Sequence, residues 1–311
     1  MDGRLQVFAG NSHPRLATAI MQELEAPLGR AIVGEYENGE TKVKLDENVR
    51  GSDVFIIQSI CTPYDHHLME LLLMIDGLRR ASAARITAVI PYYGYSKQEK
   101  KTTGREPISA KLVANLITTA GANRVLTIDL HAPAIEGFFD IPVDHLRATP
   151  LLAGHCRRLA RDGAVVVSPD AGGVARAEEF RSRSGGSLGI VTKHEPTPDG
   201  VGLEMVGDVS GKVAIVVDDM ISTGTTLEQA VTLLNERGAS EIHVAATHGV
   251  FAADAVARIS LLPIKNIYVT DTVPHPTEPI TPSLTTITVA PLLAEAIMRI
   301  HKDLSISALF T

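Results

Sequence analysis

The sequence has little of several features that mark specialised protein classes. Its 311 residues include no tryptophan and two cysteines, Cys61 and Cys156. The cysteine spacing matches no zinc or redox motif, which argues against a disulfide scaffold and is typical of a reducing cytoplasm. No basic flank or apolar signal core precedes the strand-like segment Leu5–Ala9, so we expect no secretion.

Long hydrophobic runs and an excess of positive charge are also missing. The most apolar helical stretch, Leu68–Leu78, is interrupted by charged residues and falls short of the roughly 20 residues that cross a bilayer. With 29 basic and 36 acidic residues, the formal net charge of −7 creates no overall positive field for nucleic acid or anionic lipid. We therefore expect a cytoplasmic protein with neither a membrane nor a nucleic-acid partner.

Short β-branched runs alternate along the chain with helical patterns. Runs that are apolar throughout are typical of strands covered on both faces, and helices between them predict parallel sheets. The fold class is therefore α/β, with mostly parallel sheets flanked by helices. The predicted strands are Val54–Ile57, Ile86–Ile90, Val125–Leu130, Ala164–Val167, Val213–Val217, Ile242–Ala246, Ile267–Thr270 and Thr285–Val289.

The length favours two domains. We place the boundary between Thr149 and Pro150, which gives an N-terminal domain over 1–149 and a C-terminal domain over 150–290. Residues 291–311 are predicted to be a helix and tail that pack on the N-terminal domain. Two stretches, Tyr93–Pro107 and Ser182–Val209, are predicted to be long polar loops, which are uncommon unless they are functional or disordered.

A loop of small polar residues follows the predicted strand Val213–Val217 and its two carboxylates, Asp218 and Asp219. Backbone N–H groups at the start of a helix near Leu227 would favour a phosphate dianion. The carboxylates would repel a polyphosphate but accept hydrogen bonds from vicinal sugar hydroxyls. Together they indicate a sugar phosphate site, whose loop residues are Ser222, Thr223, Gly224, Thr225 and Thr226.

The same segment is compatible with a purely structural role. In that case the loop simply caps a helix, and the two aspartates are solvated at a strand end. A P-loop nucleotide kinase is excluded because a Walker motif needs a lysine before its final Ser or Thr, and none stands here.

Two upstream segments carry further polar groups. The stretch Tyr93–Pro107 concentrates cations that could clamp a triphosphate, although a merely solvated basic loop is the alternative. Asp129 and His131 end one predicted strand and Asp170 ends another, where open α/β sheets bind ligands. Magnesium prefers carboxylates and phosphate oxygens, so Asp170 is a natural ligand and His131 a less typical one.

Taken together, these segments resemble ribose-phosphate pyrophosphokinases, the phosphoribosyl pyrophosphate synthetases, over Val7 to Phe310. The stretch Asp129–Asp144 is close to a family signature, and the loop after Val217 resembles the ribose-5-phosphate loop of type I phosphoribosyltransferases. Further matching segments are Phe8–Asn11, Tyr36–Glu40, Arg79–Ser82, Gly104–Ala110, Ser168–Ala175 and Ser305–Phe310.

The resemblance implies two stacked phosphoribosyltransferase-like domains, a homo-oligomer that is often hexameric, and the substrates ATP and ribose 5-phosphate. The implied reaction moves the β,γ-pyrophosphoryl group of ATP to the anomeric hydroxyl of the sugar, with Mg²⁺ as cofactor and Lys193 as the catalytic residue. His131 and Asp170 match the metal ligands. The implied ATP-binding residues are Tyr36, Asn38, Gly39, Glu40, Lys97 and Gln98, and the implied ribose-5-phosphate residues are Asp218, Asp219 and Ser222–Thr226.

The sequence departs from the family pattern beside its catalytic lysine. The family usually has two arginines there, whereas this chain has His194 and Glu195, and Ser222 replaces an aspartate. Three interpretations are therefore kept: an active synthetase, a non-catalytic regulatory homologue, and a phosphoribosyltransferase. The resemblance also implies phosphate and ADP as effectors, through Arg50, Ser82, Ser305 and Ser307.

Overall fold

The computed structural model describes residues 3–160, 163–197, 200–275 and 283–309; for 193–197, 200 and 201 it describes the backbone alone. The chain divides into two compact units. The first contains the described residues of Met1–Arg147, Thr272–Pro274 and Thr288–Thr311, and the second those of Ala148–Asp271 and His275–Ile287. The first division along the chain, after Arg147, lies two residues before the domain boundary that we expected after Thr149.

The first unit contains a five-stranded, wholly parallel sheet in the order β1-β4-β5-β6-β7. Strand β4 is buried at every position, as its unbroken apolar run predicts. Strands β2 and β3 form a separate antiparallel hairpin. The elements are β1 Leu5–Ala9, α1 Pro14–Glu23, β2 Ala31–Glu35, β3 Thr41–Leu45, β4 Asp53–Ile57, α2 Tyr64–Arg80, β5 Arg85–Ile90, α3 Ser109–Ala120, β6 Arg124–Ile128 and β7 Val143–Leu146.

The second unit contains a seven-stranded sheet in the order β10-β9-β8-β11-β12-β13-β14. Every pair is parallel except β9 and β10. Its elements are α4 Thr149–Ala160, β8 Val165–Ser168, α5 Val174–Ser184, β9 Ser187–Thr197, β10 Gly200–Val206, β11 Val213–Ile221, α6 Thr225–Glu236, β12 Glu241–Gly249, α7 Ala255–Ser260, β13 Asn266–Thr270 and β14 Ser283–Ile287.

Helix α8, Ala290–His301, belongs to the first unit and packs against α1. A buried ion-pair cluster fastens its end to the sheet. Arg85 donates two 2.7 Å hydrogen bonds to Asp53 and a third of 2.7 Å to the carbonyl of Ile300, while His301 Nδ1 lies 2.8 Å from Asp53 Oδ2. Arg85 thereby compensates the charge of the buried Asp53 carboxylate, which would be unfavourable in the core without a partner.

Two of the local predictions are wrong. Residues Ser182–Val209 are not a loop, because α5 extends to Ser184 and the β9–β10 pair occupies most of the remainder. Strand β11 does not stop at Val217 but continues to Ile221, so both aspartates lie within the strand. In the described part of the chain, no helix is long and apolar enough to cross a membrane.

Candidate active site

The acidic pair lies in β11, with its carboxylates close together. Asp218 pairs with Ala246 of the parallel neighbour β12, and its carboxylate oxygen Oδ1 accepts a 2.8 Å hydrogen bond from the Asp219 backbone. Asp219 is 3 % exposed. Burial, followed by the charge of Asp219, raises the pKa of Asp218 above the usual aspartate range. Such a carboxylate takes up a proton readily unless a cation or hydroxyl donors oppose it.

A cation that the sequence pattern does not reveal contacts both carboxylates. Arg176, on the first turn of α5, places its Nη1 atom 3.1 Å from Asp218 Oδ1 and 3.4 Å from Asp219 Oδ1. Its charge opposes the rise in the pKa of Asp218. Arg176 lies 42 residues before Asp218, so no local pattern indicates the contact.

The loop after β11 turns sharply into helix α6, which begins at Thr225. Gly224 adopts φ +79°, a left-handed conformation that glycine accepts without strain. The carbonyl of Ile221 accepts 3.0 Å hydrogen bonds from Val250 and Phe251, so the chain entering the turn is held from one side.

The loop's donors remain available for a ligand. Among the described residues, the N–H groups of Thr223–Thr226 donate no hydrogen bond to a backbone carbonyl of a turn, a loop or another helix or strand. The side chains of Thr223 and Thr225 are exposed, and their hydroxyl oxygens lie 3.4 Å apart. Such N–H groups and hydroxyls at a helix N-terminus are suited to a phosphate group.

Asp170 follows β8, the parallel neighbour of β11, and therefore lies at the same edge of the sheet as the loop. Its Oδ1 atom accepts a 3.0 Å hydrogen bond from Gly173 N, at the start of α5. Within the described ranges, Oδ2 has no hydrogen-bond or ion-pair partner, so one oxygen remains for a metal ion. A half-buried carboxylate with a spare oxygen fits Mg²⁺, which completes its shell with phosphate oxygens and water.

In the first unit, His145 holds the segment around His131 through hydrogen bonds. Asp129, directly after β6, has φ +39°, and Leu130 N donates a 2.8 Å hydrogen bond to His145 Nε2. His145 Nδ1 contacts Glu136, and burial lowers the pKa of His145, which keeps Nε2 an acceptor. His131 itself is half-buried, and imidazole is a less typical magnesium ligand than a carboxylate.

The predicted adenine-binding residues occupy the exposed turn of the β2–β3 hairpin. Tyr36 is 52 % exposed, and Lys42 Nζ lies 5.3 Å from the centroid of its ring. Asn38 Oδ1 accepts a 3.2 Å hydrogen bond from Glu40 N, and Gly39 has φ +84°. The turn is therefore held by its own hydrogen bonds, while Tyr36 stays half-exposed beneath the Lys42 amino group.

The remaining predicted nucleotide contacts lie on a short 3₁₀ turn, Ser96–Gln98. Lys97 is exposed, and Gln98 Oε1 accepts a 2.6 Å hydrogen bond from Ser109 at the start of α3. Lys193 pairs with Leu203 in the β9–β10 register, but its side chain lies outside the described residues, as do those of His194 and Glu195.

The predicted regulatory residues all belong to the first unit. Arg50 and Ser82 lie on adjoining turns, because Gly51 N donates a 2.9 Å hydrogen bond to the carbonyl of Ser82. Ser307 N donates a 3.2 Å hydrogen bond to Ser305 Oγ in the C-terminal segment. Among the described residues, no cluster of three or more His, Cys, Asp and Glu side chains could hold a metal by itself.

Comparison with known proteins matches both halves of the chain to one family. Residues 5–121 match the N-terminal domain of ribose phosphate pyrophosphokinase, and residues 189–311 match the phosphoribosyl synthetase-associated domain. Proteins called ribose-phosphate pyrophosphokinase from Rhodopirellula baltica and Oceanobacillus iheyensis are 52 % and 46 % identical, over 98 % and 99 % of this chain and 98 % of each relative.

A solved structure agrees with this assignment. Phosphoribosylpyrophosphate synthetase from Mycobacterium smegmatis is 44 % identical, with a TM-score of 0.91 over 96 % of this chain and 99 % of that one. Both the sequence matches and the structural match extend over nearly the whole length of each protein. This chain therefore belongs to the ribose-phosphate pyrophosphokinase family.

Proposed function

We propose that this protein transfers the β,γ-pyrophosphoryl group of ATP to the anomeric hydroxyl of ribose 5-phosphate, forming phosphoribosyl pyrophosphate and AMP. The observation that carries the proposal is the presence of two kinds of binding group at one sheet edge. Asp218 and Asp219 present carboxylates in β11, and the following turn at Gly224 leaves backbone donors available at the start of α6.

In this proposal, the second unit holds the sugar phosphate. The N–H groups and hydroxyls of Ser222–Thr226 bind the 5-phosphate, whose charge the helix dipole stabilises. Asp218 and Asp219 accept hydrogen bonds from the ribose hydroxyls and so orient the anomeric oxygen. Positioning the attacking oxygen lowers the activation barrier for transfer, because the reacting groups lose their translational and rotational freedom on binding rather than in the chemical step.

The first unit supplies the nucleotide contacts. The exposed face of Tyr36 stacks on adenine, Asn38, Gly39 and Glu40 contact its edge, and Lys97 and Gln98 meet the phosphates. Family relatives are called pyrophosphokinases, which makes a nucleoside triphosphate the expected donor. No covalent intermediate is needed for this transfer.

Charge stabilisation of the transferred group is assigned to Mg²⁺, Lys193 and the basic residues near Lys97. In the second unit, Asp170 would hold a metal ion, which would neutralise charge on the phosphate oxygens; His131 of the first unit stays a proposed ligand from the family resemblance. With His194 and Glu195 where the family has arginines, more of this charge falls to the lysines.

Release of AMP tests the proposal. The purified full chain is incubated with MgCl₂, ATP and ribose 5-phosphate, and AMP is quantified by chromatography. We expect AMP and phosphoribosyl pyrophosphate in equal amounts, and none when ribose 5-phosphate is replaced by ribose. Absence of AMP with every divalent metal would eliminate the catalytic proposal and leave the regulatory homologue. Consumption of phosphoribosyl pyrophosphate with a nucleobase would instead indicate a phosphoribosyltransferase.

Assembly and regulation form a second part of the proposal. We expect a cytoplasmic homo-oligomer, a hexamer by family resemblance, that phosphate activates and ADP inhibits through Arg50, Ser82, Ser305 and Ser307. The supporting observation is that Arg50 and Ser82 lie on adjoining turns of one unit. Light scattering measures the mass, and activity that is flat across phosphate concentrations would contradict the regulatory part.

A further inference from the structure

We infer that Arg176 is a positioning residue for the sugar site: its guanidinium pairs with Asp218 and Asp219 and aligns both carboxylates to accept the hydroxyls of the bound pentose phosphate. This inference rests on the proposed function and adds a residue that acts through the acidic pair. It is carried by contacts within the second unit alone.

A single atom of Arg176 bridges the two carboxylates. Its Nη1 nitrogen lies 3.1 Å from Asp218 Oδ1 and 3.4 Å from Asp219 Oδ1. The Asp219 side chain is 4 % exposed and that of Arg176 is 21 % exposed. The Asp218 side chain is 26 % exposed, so the two adjacent carboxylates are at least partly shielded from water; they repel one another, and a bridging cation offsets that repulsion.

Arg176 also has an unusual place on its helix. It is the third residue of α5, near the positive end of the helix dipole, where a cation is unfavourable. Arg181 and Arg183 of the same helix lie in its last turn, where the dipole stabilises them. Helix stability therefore does not explain Arg176, whereas attraction to the acidic pair does.

Local hydrogen bonds hold the start of α5 in place. Asp170 Oδ1 accepts a hydrogen bond from Gly173 N, and the Ser168 hydroxyl donates a 2.7 Å hydrogen bond to the Asp170 carbonyl. A Cβ atom on Gly173 would lie 2.8 Å from Ser168 Oγ and 3.7 Å from Arg176 Nη1. A glycine at 173 thus lets the backbone lie close to the Ser168 side chain. The hydrogen-bonded turn also fixes the position of the Arg176 backbone, from which the side chain extends.

These contacts give the guanidinium a specific role in binding. A carboxylate accepts hydrogen bonds with both oxygens, whereas a protonated one must donate with one of them and would mispair with a sugar diol. Because Arg176 stabilises the ionised form, its removal favours protonation or rotation of Asp218. The phosphate donors around Gly224 stay in place, so sugar affinity falls while the fold and the nucleotide contacts are retained.

Calorimetry with ribose 5-phosphate on the full chain tests this role. We expect R176Q to weaken binding by roughly tenfold, because truncating one partner of a partly buried charge pair leaves the other unpaired. R176K should recover part of the loss, since it restores a point charge without the planar fork. The KM for ribose 5-phosphate should rise, while the KM for ATP stays within about twofold of the wild-type value.

Arg181 provides a matched control on the same helix. It pairs with a surface carboxylate, Glu178, at 2.6 Å, so R181Q removes an arginine and an ion pair without touching the site. We expect R181Q to bind ribose 5-phosphate as the wild type does. Equal losses in R176Q and R181Q, or a rise in the KM for ATP as large as that for the sugar, would overturn the inference.

The failure of this inference is distinguishable from failure of the proposed function. If the wild type binds ribose 5-phosphate, D218N loses binding and R176Q retains it, the positioning role is wrong and the sugar site stands. If R176K is no better than R176Q although both unfold at the wild-type temperature, charge is not the cause and the inference is again wrong. If the wild type itself does not bind ribose 5-phosphate, both fall.

Discussion

The segment Asp218–Thr226 and the hairpin turn Tyr36–Glu40 are both proposed to bind ligand, but they are built differently. We call the first segment the acidic loop; it contains the last residues of β11 and the turn into α6. The loop continues a central strand of a seven-stranded sheet, has a buried aspartate, and is held by backbone hydrogen bonds from the segment after β12. The turn joins two strands of a separate hairpin and leaves Tyr36 half-exposed.

Because of this difference, we expect substitutions in the loop and substitutions in the turn to have different effects on ligand affinity and on the free energy of unfolding. In the loop, side chains and backbone are pre-organised, so a change there alters both ligand affinity and the free energy of unfolding. In the turn, an exposed ring makes few contacts within the protein, so a change should alter nucleotide affinity alone. Three substitutions test this contrast between the loop and the turn, and a fourth, at Arg50, lies outside both regions.

Removing the charge of Asp218 should have the largest effect. Asp218→Asn replaces two acceptor oxygens by one acceptor and one donor, and hydrogen bonds to charged groups typically contribute enough that affinity for ribose 5-phosphate should fall about 10- to 100-fold. Calorimetry measures the change. Asp208→Asn, on an exposed residue that pairs with Lys212 at 3.0 Å, is the control and should bind normally.

The same variant has a distinct pH signature. The pKa of Asp218 is raised on folding, so the folded state holds its proton more tightly than the unfolded chain. The free energy of unfolding therefore decreases as pH rises from the ordinary aspartate range through the raised pKa. Thermal unfolding at a series of pH values should show this decrease in the wild type and a shallower one in Asp218→Asn. Identical slopes would show that folding does not raise the pKa of Asp218.

Gly224→Ala should have the next largest effect. At φ +79° a side chain is strained, and the new Cβ would lie 3.4 Å from both Arg258 Cδ and Ile259 Cγ1. We expect a loss of about 1–2 kcal/mol of stability and a roughly tenfold loss of ribose 5-phosphate affinity. Gly211→Ala is the matched control, because φ is +68° and a Cβ meets nothing within 4 Å. It should lose stability but keep its affinity for the sugar phosphate.

Tyr36→Ala should separate the two regions most clearly. Because the ring is exposed and stacking contributes about 1 kcal/mol, the KM for ATP should rise about fivefold. The melting temperature and the affinity for ribose 5-phosphate should not change. Ile32→Ala, at another exposed apolar residue of the same hairpin, is the control. A fall in stability in Tyr36→Ala would show that the turn is packed more tightly than its exposure indicates.

A still smaller effect is expected from Arg50→Ala. Arg50 is exposed and belongs to neither ligand region, so basal activity without phosphate should be retained. Activation by phosphate should fall, by no more than about fivefold because an exposed ion contact is weak. Rate measurements over a phosphate series decide this. An unchanged activation curve would remove Arg50 from the proposed effector site.

Much of the framework follows from the sequence because buried parallel strands are locally encoded. The apolar run Val54–Ile57 lies in the wholly buried β4. Leu227 and Leu234 are seven residues apart, a spacing that places them on one helix face, and both are buried in α6. The turn at Gly224 and the adjoining donors also follow from residue types, since glycine between small polar residues after a strand is typical of an anion site.

The remainder depends on contacts between distant residues. The sequence does not reveal the β2–β3 hairpin, because its strands are only partly buried and show no continuous apolar run. The apolar pattern ends β11 too early, at Val217, because two adjacent charges are unusual inside a buried strand; Arg176, 42 residues away, offsets them. A long-range ion pair of this kind leaves no periodic signal in the sequence.

A crystal structure of the full chain with ribose 5-phosphate would decide whether the acidic loop is the sugar site. We expect the phosphate within hydrogen-bond distance of the backbone N–H groups of Thr223–Thr226, with the ribose hydroxyls against Asp218 and Asp219. A phosphate bound elsewhere in the second unit, or a sugar whose hydroxyls face away from both aspartates, would refute this assignment.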